Sequence, residues 1–128
     1  MNAEMYIAEV LRTYAGKETR EDKLILGSLG LAGESGEVID MIKKHLYAGH
    51  DLNGDALLKE IGDVLWYLAL MCSTFGWTLD DAIRVNVDKL HKRFPDGFSS
   101  ERSIRREEGD MITLEINENT PSLDLIDL

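Results

Sequence analysis

A single cysteine, Cys72, leaves this chain unable to close an internal disulfide, and its setting in an apolar stretch is that of a small core residue in a reducing compartment. Proline occurs only twice, and the composition is otherwise that of an ordinary globular protein. Basic residues are scarce relative to acids, 14 against 24, giving a formal net charge of −10. That balance argues against nucleic acid as the main partner, because backbone binding needs Lys and Arg to neutralise phosphates. Small phosphorylated ligands remain compatible, since a local metal and a few bases reverse the field of a site. No long hydrophobic run exists: Val64 to Cys72 is too short to span a bilayer. The start, Met1-Asn-Ala-Glu, lacks the pattern of a secretory signal, so the expected location is cytoplasmic.

What is present reads as helix. Ala3 to Tyr14 forms a short amphipathic segment, ended by Gly16 and the charged run 17–22. A longer helix is expected from about Glu21 to Tyr47, with Leu24, Leu31, Val38, Ile42 and Leu46 apolar. Gly27, Gly30, Gly33 and Gly36 recur in it at every third position, each at roughly 1 kcal/mol in helix propensity. Either a neighbouring helix approaches closely there or a ligand needs the room. After a turn over 48–54, Asp55 can cap a helix from Ala56 to about Phe75 that Gly76 ends. Its middle is apolar all round, as in a central helix or one at a subunit interface. Thr78 with Asp81 resembles a capping box for a further helix, which should reach Phe94 and stop at Pro95-Asp96-Gly97. The character then changes. Residues 99–109 are polar, 110–116 alternate as one strand would, and 117–128 are acidic with scattered leucines. The fold class expected is all-α: an antiparallel bundle of four to five helices over 1–98, with a short non-helical, acidic extension over 99–128, either one strand or disordered.

Four acids interrupt the apolar faces of the two longer helices. Glu34 and Glu37 form one pair and Glu60 and Asp63 another, each spaced i, i+3, so both carboxylates of a pair leave the same side one turn apart. Glu60 and Asp63 share their face with Val64, Tyr67 and Met71; Glu34 and Glu37 share theirs with Val38 and Met41. Antiparallel helices joined by a short turn bring the pairs opposite each other. Without cations such a cluster costs several kcal/mol per buried charge. Hard oxygen donors, with no cysteine or well-placed histidine, select Mg²⁺ or Mn²⁺, and magnesium is commonly completed by substrate phosphates. On the following helix Asn86, Lys89 and Arg93 lie at i, i+3, i+7 along one side, a stripe suited to a run of phosphates or simply to solvent.

The segments Leu31-Ala-Gly-Glu-Ser-Gly-Glu-Val38, Lys59-Glu-Ile-Gly-Asp-Val-Leu-Trp-Tyr67 and Asn86-Val-Asp-Lys-Leu-His-Lys-Arg-Phe-Pro95 occur in that order. Together they resemble the all-α nucleoside triphosphate pyrophosphohydrolases, the MazG-like group in particular, over about residues 20 to 98. A lone ExxE carries little information; the ordered set, ExxE then ExxD then a Lys/Arg segment, carries much more. The resemblance implies a four-helix core completed by assembly into a homodimer or homotetramer. It also implies Mg²⁺-dependent cleavage of a nucleoside triphosphate into monophosphate and pyrophosphate, with removal of noncanonical nucleotides as the family-level role. Carried over by position, Glu34, Glu37, Glu60 and Asp63 become metal ligands, Glu34 or Glu37 also positioning the attacking water. Asn86, Lys89 and Arg93 become phosphate contacts, and Trp66 and Tyr67 are candidate base contacts. Relatives often carry a further acid beside this set, where the present chain has Gly33 and Lys59.

Two other readings are open to the same residues. A di-iron carboxylate bundle needs Glu-x-x-His on two helices, and the nearest match here is a single Asp88-x-x-His91. A non-catalytic helical oligomerisation or regulatory module would carry the acids merely as partners of lysines. His45, His50 and His91 read as solvated, and Lys43-Lys44 near a helix end has a sufficient reason in the macrodipole.

Overall fold

Helix α1 spans Ala3–Thr13, α2 Arg20–Tyr47, α3 Gly54–Ser73, α4 Leu79–Arg93 and α5 Ser100–Ile104. The computed structural model describes residues 1–105; the expected strand over 110–116 lies outside the described residues, among which no strand occurs. The all-α bundle is therefore as expected, with one addition. The five residues of α5, capped by Ser99 accepting from the Arg102 N–H at 3.3 Å, had been expected to be irregular. A single polar turn has no apolar period by which to be recognised.

The antiparallel pair α2 and α3 is the frame of the molecule and its most extensive packing. Two glycines permit it. A Cβ on Gly30 would fall within the ring of Tyr67, and one on Gly27 would meet the Met71 side chain and the Tyr67 carbonyl. Gly33 and Gly36 have nothing within 4 Å of such a Cβ. The glycine series thus divides: the first two serve close approach of α3, and the last two leave open space beside Glu34 and Glu37.

Chain entry into each helix is set by a side-chain cap. Asn2 accepts from the Met5 N–H at 2.9 Å, and Thr19 from the Asp22 N–H at 3.2 Å. Asn53, not Asp55, caps α3, accepting from the Ala56 N–H at 3.1 Å, so that helix begins two residues before the expected Ala56. Asparagine is as good an N-cap as aspartate, and the Gly54 that follows read as part of the turn. Thr78 and Asp81 do form the expected box, the Thr78 N–H donating to the Asp81 carboxylate at 2.8 Å.

Helix α1 lies against the C-terminal half of α3, and there the core forms from Val10, Tyr14, Ala69 and Leu70, with Tyr6, Ile7, Trp66 and Leu79 packed around it. Burying Val10 and Leu70 contributes roughly 1.5–3 kcal/mol each. The turn between α1 and α2 is tied down by Tyr14, whose hydroxyl donates to the Asp22 carboxylate at 2.9 Å, while the Lys17 N–H donates to the same oxygen at 2.9 Å. Burial and the Asp22 charge push the Tyr14 hydroxyl up to about 12. Much apolar surface stays outside this core. Leu29 and Ile39 on α2, Leu58 on α3 and Ile83 on α4 are all more than half exposed. Cys72 is half-buried beside the core, and burial raises its thiol above the ordinary range. No helix of the described residues is long and apolar enough to cross a membrane.

Candidate active site

Closure of the α2–α3 pair by Gly27 and Gly30 brings the next turns of both helices face to face. Glu34 from α2 and Glu60 and Asp63 from α3 each offer one carboxylate oxygen, all within 4.8 Å of one another. Glu34 and Glu60 are half-buried and Asp63 is exposed. Burial raises the Glu34 carboxyl above its ordinary range. A hydrogen bond with Glu60 and the charges of Asp63, Glu60 and Glu37 push it the same way. All the named charges acting on it are negative. Glu37 is exposed and lies outside the three-acid group, near enough to act on Glu34 through its charge.

The donor set is oxygen alone. Three carboxylates that repel one another, two of them lining a cavity, suit a hard divalent cation with positions left for water or phosphate, as Mg²⁺ or Mn²⁺ requires. They suit zinc less well, because zinc sites commonly include nitrogen or sulfur ligands. Asp88 and His91, the nearest approach to a di-iron motif, are both exposed on α4, and neither belongs to the acid group.

Beside the carboxylates opens a cavity of about 290 Å³ lined by Thr13, Glu34, Asp63, Trp66 and Tyr67. Its aromatic wall is fixed from two directions. Tyr67 is held over Gly30, and Trp66 meets it edge to face, ring centres 5.0 Å apart. The Trp66 Nε1–H donates to Thr13 Oγ1 at 2.9 Å, so α1 sets the angle of the indole. Thr13 is the member that sequence reasoning missed: it stands 53 positions from its partner, at the end of a helix that carries none of the paired acids. Trp66 both packs on the core and faces the cavity, an overlap that an all-round apolar run conceals.

The basic stripe falls elsewhere. None of Asn86, Lys89 and Arg93 lines the cavity; Asn86 is exposed, while Lys89 and Arg93 are half-buried, Arg93 with an interaction of its own. Lys44 lies toward Glu37 and Asp40: its Nζ is 2.6 Å from the Asp40 carboxylate, and Lys43 is 3.1 Å from it, which lowers that carboxyl below its ordinary range. His45, His50 and His91 are exposed, the His45 ring nitrogen bonding the His50 carbonyl at 2.8 Å.

A family model, the MazG nucleotide pyrophosphohydrolase domain, matches residues 27–98, which include all four acids and the basic stripe. Gene 37 protein of Mycobacterium phage L5 is 34% identical over 70 residues, covering 52% of this chain and 61% of the phage protein. The chain therefore spans less than two thirds of that relative's length. No solved structure matches the chain.

Proposed function

Because the chain belongs to the MazG nucleotide pyrophosphohydrolase domain family, we propose that it hydrolyses nucleoside triphosphates to monophosphate and pyrophosphate by attack of water at the α-phosphorus. The observation that carries this reading is the meeting of Glu34, Glu60 and Asp63 beside a cavity walled by Trp66 and Tyr67. Three acids alone recruit a cation; with an aromatic wall next to them, a base and a polyphosphate can be held at once.

Glu34, Glu60 and Asp63 would hold the magnesium, with Glu37 one turn further along α2 completing the set. When bound, the ion supplies neutralisation of phosphate charge and a more acidic water. Glu34, its carboxyl raised by burial, or Glu37, in reach of solvent, takes the proton of the attacking water. Trp66 and Tyr67 lie against the base, and the open sides of Gly33 and Gly36 leave room for the sugar and phosphates. Lys89 and Arg93, with Asn86, retain the leaving pyrophosphate. Removal of noncanonical nucleotides in the cytoplasm is the role that fits a small enzyme of this kind.

Assembly into at least a homodimer belongs to the same reading. Ile25, Leu29 and Ile39 on α2 and Leu58, Ile61 and Leu65 on α3 remain exposed, and a two-helix frame with one small core gains most by pairing with another.

Incubation of the purified chain and Mg²⁺ with ribo- and deoxynucleoside triphosphates, with products identified, tests the activity. Monophosphate and pyrophosphate are expected, and Asp63→Asn should abolish them with the helical spectrum intact. Diphosphate and orthophosphate, or full turnover by Asp63→Asn, would remove the assignment. The non-catalytic alternative predicts no product at all.

A further inference from the structure

On the reading that this chain is a pyrophosphohydrolase, we propose that Thr13 of α1 is a positioning residue for the nucleotide base. By holding the Trp66 indole N–H it keeps that ring edge-on to Tyr67, and so keeps open the corner between the two rings in which the base is seated.

The hydroxyl of Thr13 has each of its roles fixed. A threonine in a helix can turn its Oγ1 back to the carbonyls one turn earlier. Here Oγ1 is 2.9 Å from the Glu9 carbonyl oxygen and 3.1 Å from that of Val10, so its proton is spent on the backbone of α1. What is left on the oxygen is acceptor capacity, and the Trp66 Nε1–H donates into it at 2.9 Å. The threonine is held in turn by its neighbours. Val10, one turn earlier, and Tyr14, the next residue, both belong to the buried core, and the Tyr14 hydroxyl is tied to Lys17 and Asp22. The indole is thus fastened to the core through a residue that is itself exposed.

Ring geometry gives that fastening its consequence. The centres of Trp66 and Tyr67 are 5.0 Å apart and their planes stand at 77°, so the pair forms a corner rather than a stack. A flat ring entering a corner lies on the face of one wall and meets the edge of the other. The Tyr67 wall is firm by itself, because its ring, with the Cζ that carries the hydroxyl, is lodged against Gly30 of α2. The Trp66 wall lies at the margin of the core, and the torsion that turns an indole has no sharp staggered minimum. The bond through Nε1 is what sets that torsion. Both rings, Thr13 and the acids Glu34 and Asp63 line one cavity of about 290 Å³, at the lower limit, roughly 300 Å³, of small-molecule pockets. In so small a space a turned indole removes the room for a base. The same bond withholds the indole donor from the ligand, so Trp66 meets a base through its ring and not through its N–H.

Variants at both ends of the bond test this in the full-length protein. Thr13→Val keeps the shape of the side chain and removes the hydroxyl; Thr13→Ser keeps the hydroxyl. Valine should raise KM for nucleoside triphosphates about tenfold, a part of what the stacking of one base supplies, with kcat held. Serine should restore the wild-type KM. In a Trp66→Phe background, which has no N–H to lose, Thr13→Val should change KM no further. An unchanged KM in Thr13→Val, an equal rise with serine, or a loss confined to kcat would overturn the proposal. A second measurement does not depend on catalysis. Trp66 and Trp77 are the two tryptophans of the chain, and a Trp77→Phe variant assigns their indole N–H signals in the ¹H–¹⁵N spectrum. The Trp66 signal should move when an α,β-imido nucleoside triphosphate is added, and Thr13→Val should need more of the analogue to reach half-saturation. A Trp66 signal that saturating analogue leaves in place overturns the seating of the base. If the signal moves as expected while the wild type cleaves no triphosphate, the hydrolase reading falls and the positioning by Thr13 stands.

Discussion

Glu34 of α2 and Glu60 of α3, both acids, hold their carboxyl groups within hydrogen-bonding reach of each other, with Asp63 completing a group whose oxygens lie within 4.8 Å. A contact between two groups of like charge is unfavourable unless a proton or a cation lies between them. Magnesium should therefore raise the thermal midpoint. By mass action, free metal at a hundredfold excess over Kd stabilises by about 2.7 kcal/mol. Glu60→Gln should abolish most of that shift while leaving the metal-free protein at least as stable as wild type, because a repulsion is relieved. Differential scanning calorimetry with and without Mg²⁺ reads both effects.

The same contact sets a pH dependence. The Glu34 carboxyl is raised in the folded chain, chiefly by burial and then by Glu60. For a group raised on folding, the associated stability is present below its unfolded pKa and is lost as pH rises through the folded one. Metal-free protein should accordingly lose stability as pH climbs from the ordinary glutamate range through the raised range of Glu34. Magnesium should reverse that trend and release protons as it binds. Calorimetric titration in two buffers of different ionisation enthalpy measures the proton release. Its absence at the acid end would mean that Glu34 is not a ligand.

The four glycines of α2 should respond to alanine in opposite ways. Gly30→Ala forces the Tyr67 ring aside and is expected to destabilise by about 1–3 kcal/mol, as overpacking does. Gly36→Ala meets nothing within 4 Å and should stabilise the helix by roughly 0.5–1 kcal/mol. If the open space holds substrate, the same change should raise KM for the nucleotide. Urea midpoints and steady-state kinetics on the two variants separate these outcomes.

Tyr14 governs behaviour at the alkaline end. Its hydroxyl is pushed up to about 12, chiefly by burial and then by Asp22. An unfolded tyrosine ionises near 10, so the Tyr14 contribution is complete below about 10 and is lost as pH rises toward 12. Tyr14→Phe should be less stable than wild type at pH 8, with the gap narrowing by pH 11. Denaturation midpoints at the two pH values check it.

How much of this was legible in the sequence follows from the range of each interaction. The i, i+3 spacing of Glu60 and Asp63 is a local pattern, and with a short connection to the helix of Glu34 it predicts the convergence found. Thr78 and Asp81, three residues apart, were legible for the same reason. Gly27 and Gly33 look alike in the chain, and only the angle at which α3 crosses decides which is packed and which is open. Thr13 meets Trp66 across 53 positions, and no local rule reports such a contact. The direction taken by α4 was equally hidden, because a basic stripe fixes a helix face but not the neighbour toward which the helix leans.

The two aromatic walls of the cavity differ in how freely they can change over generations. Tyr67 is wedged over Gly30, so altering it also disturbs the spacing of the main helix pair. Trp66 is steadied by a single hydroxyl on α1, a helix that carries none of the three clustered acids. On the proposed reading, descendants of this protein would explore new bases through Thr13 and Trp66 while Tyr67 stays put, which would make the short first helix the place where substrate range drifts first.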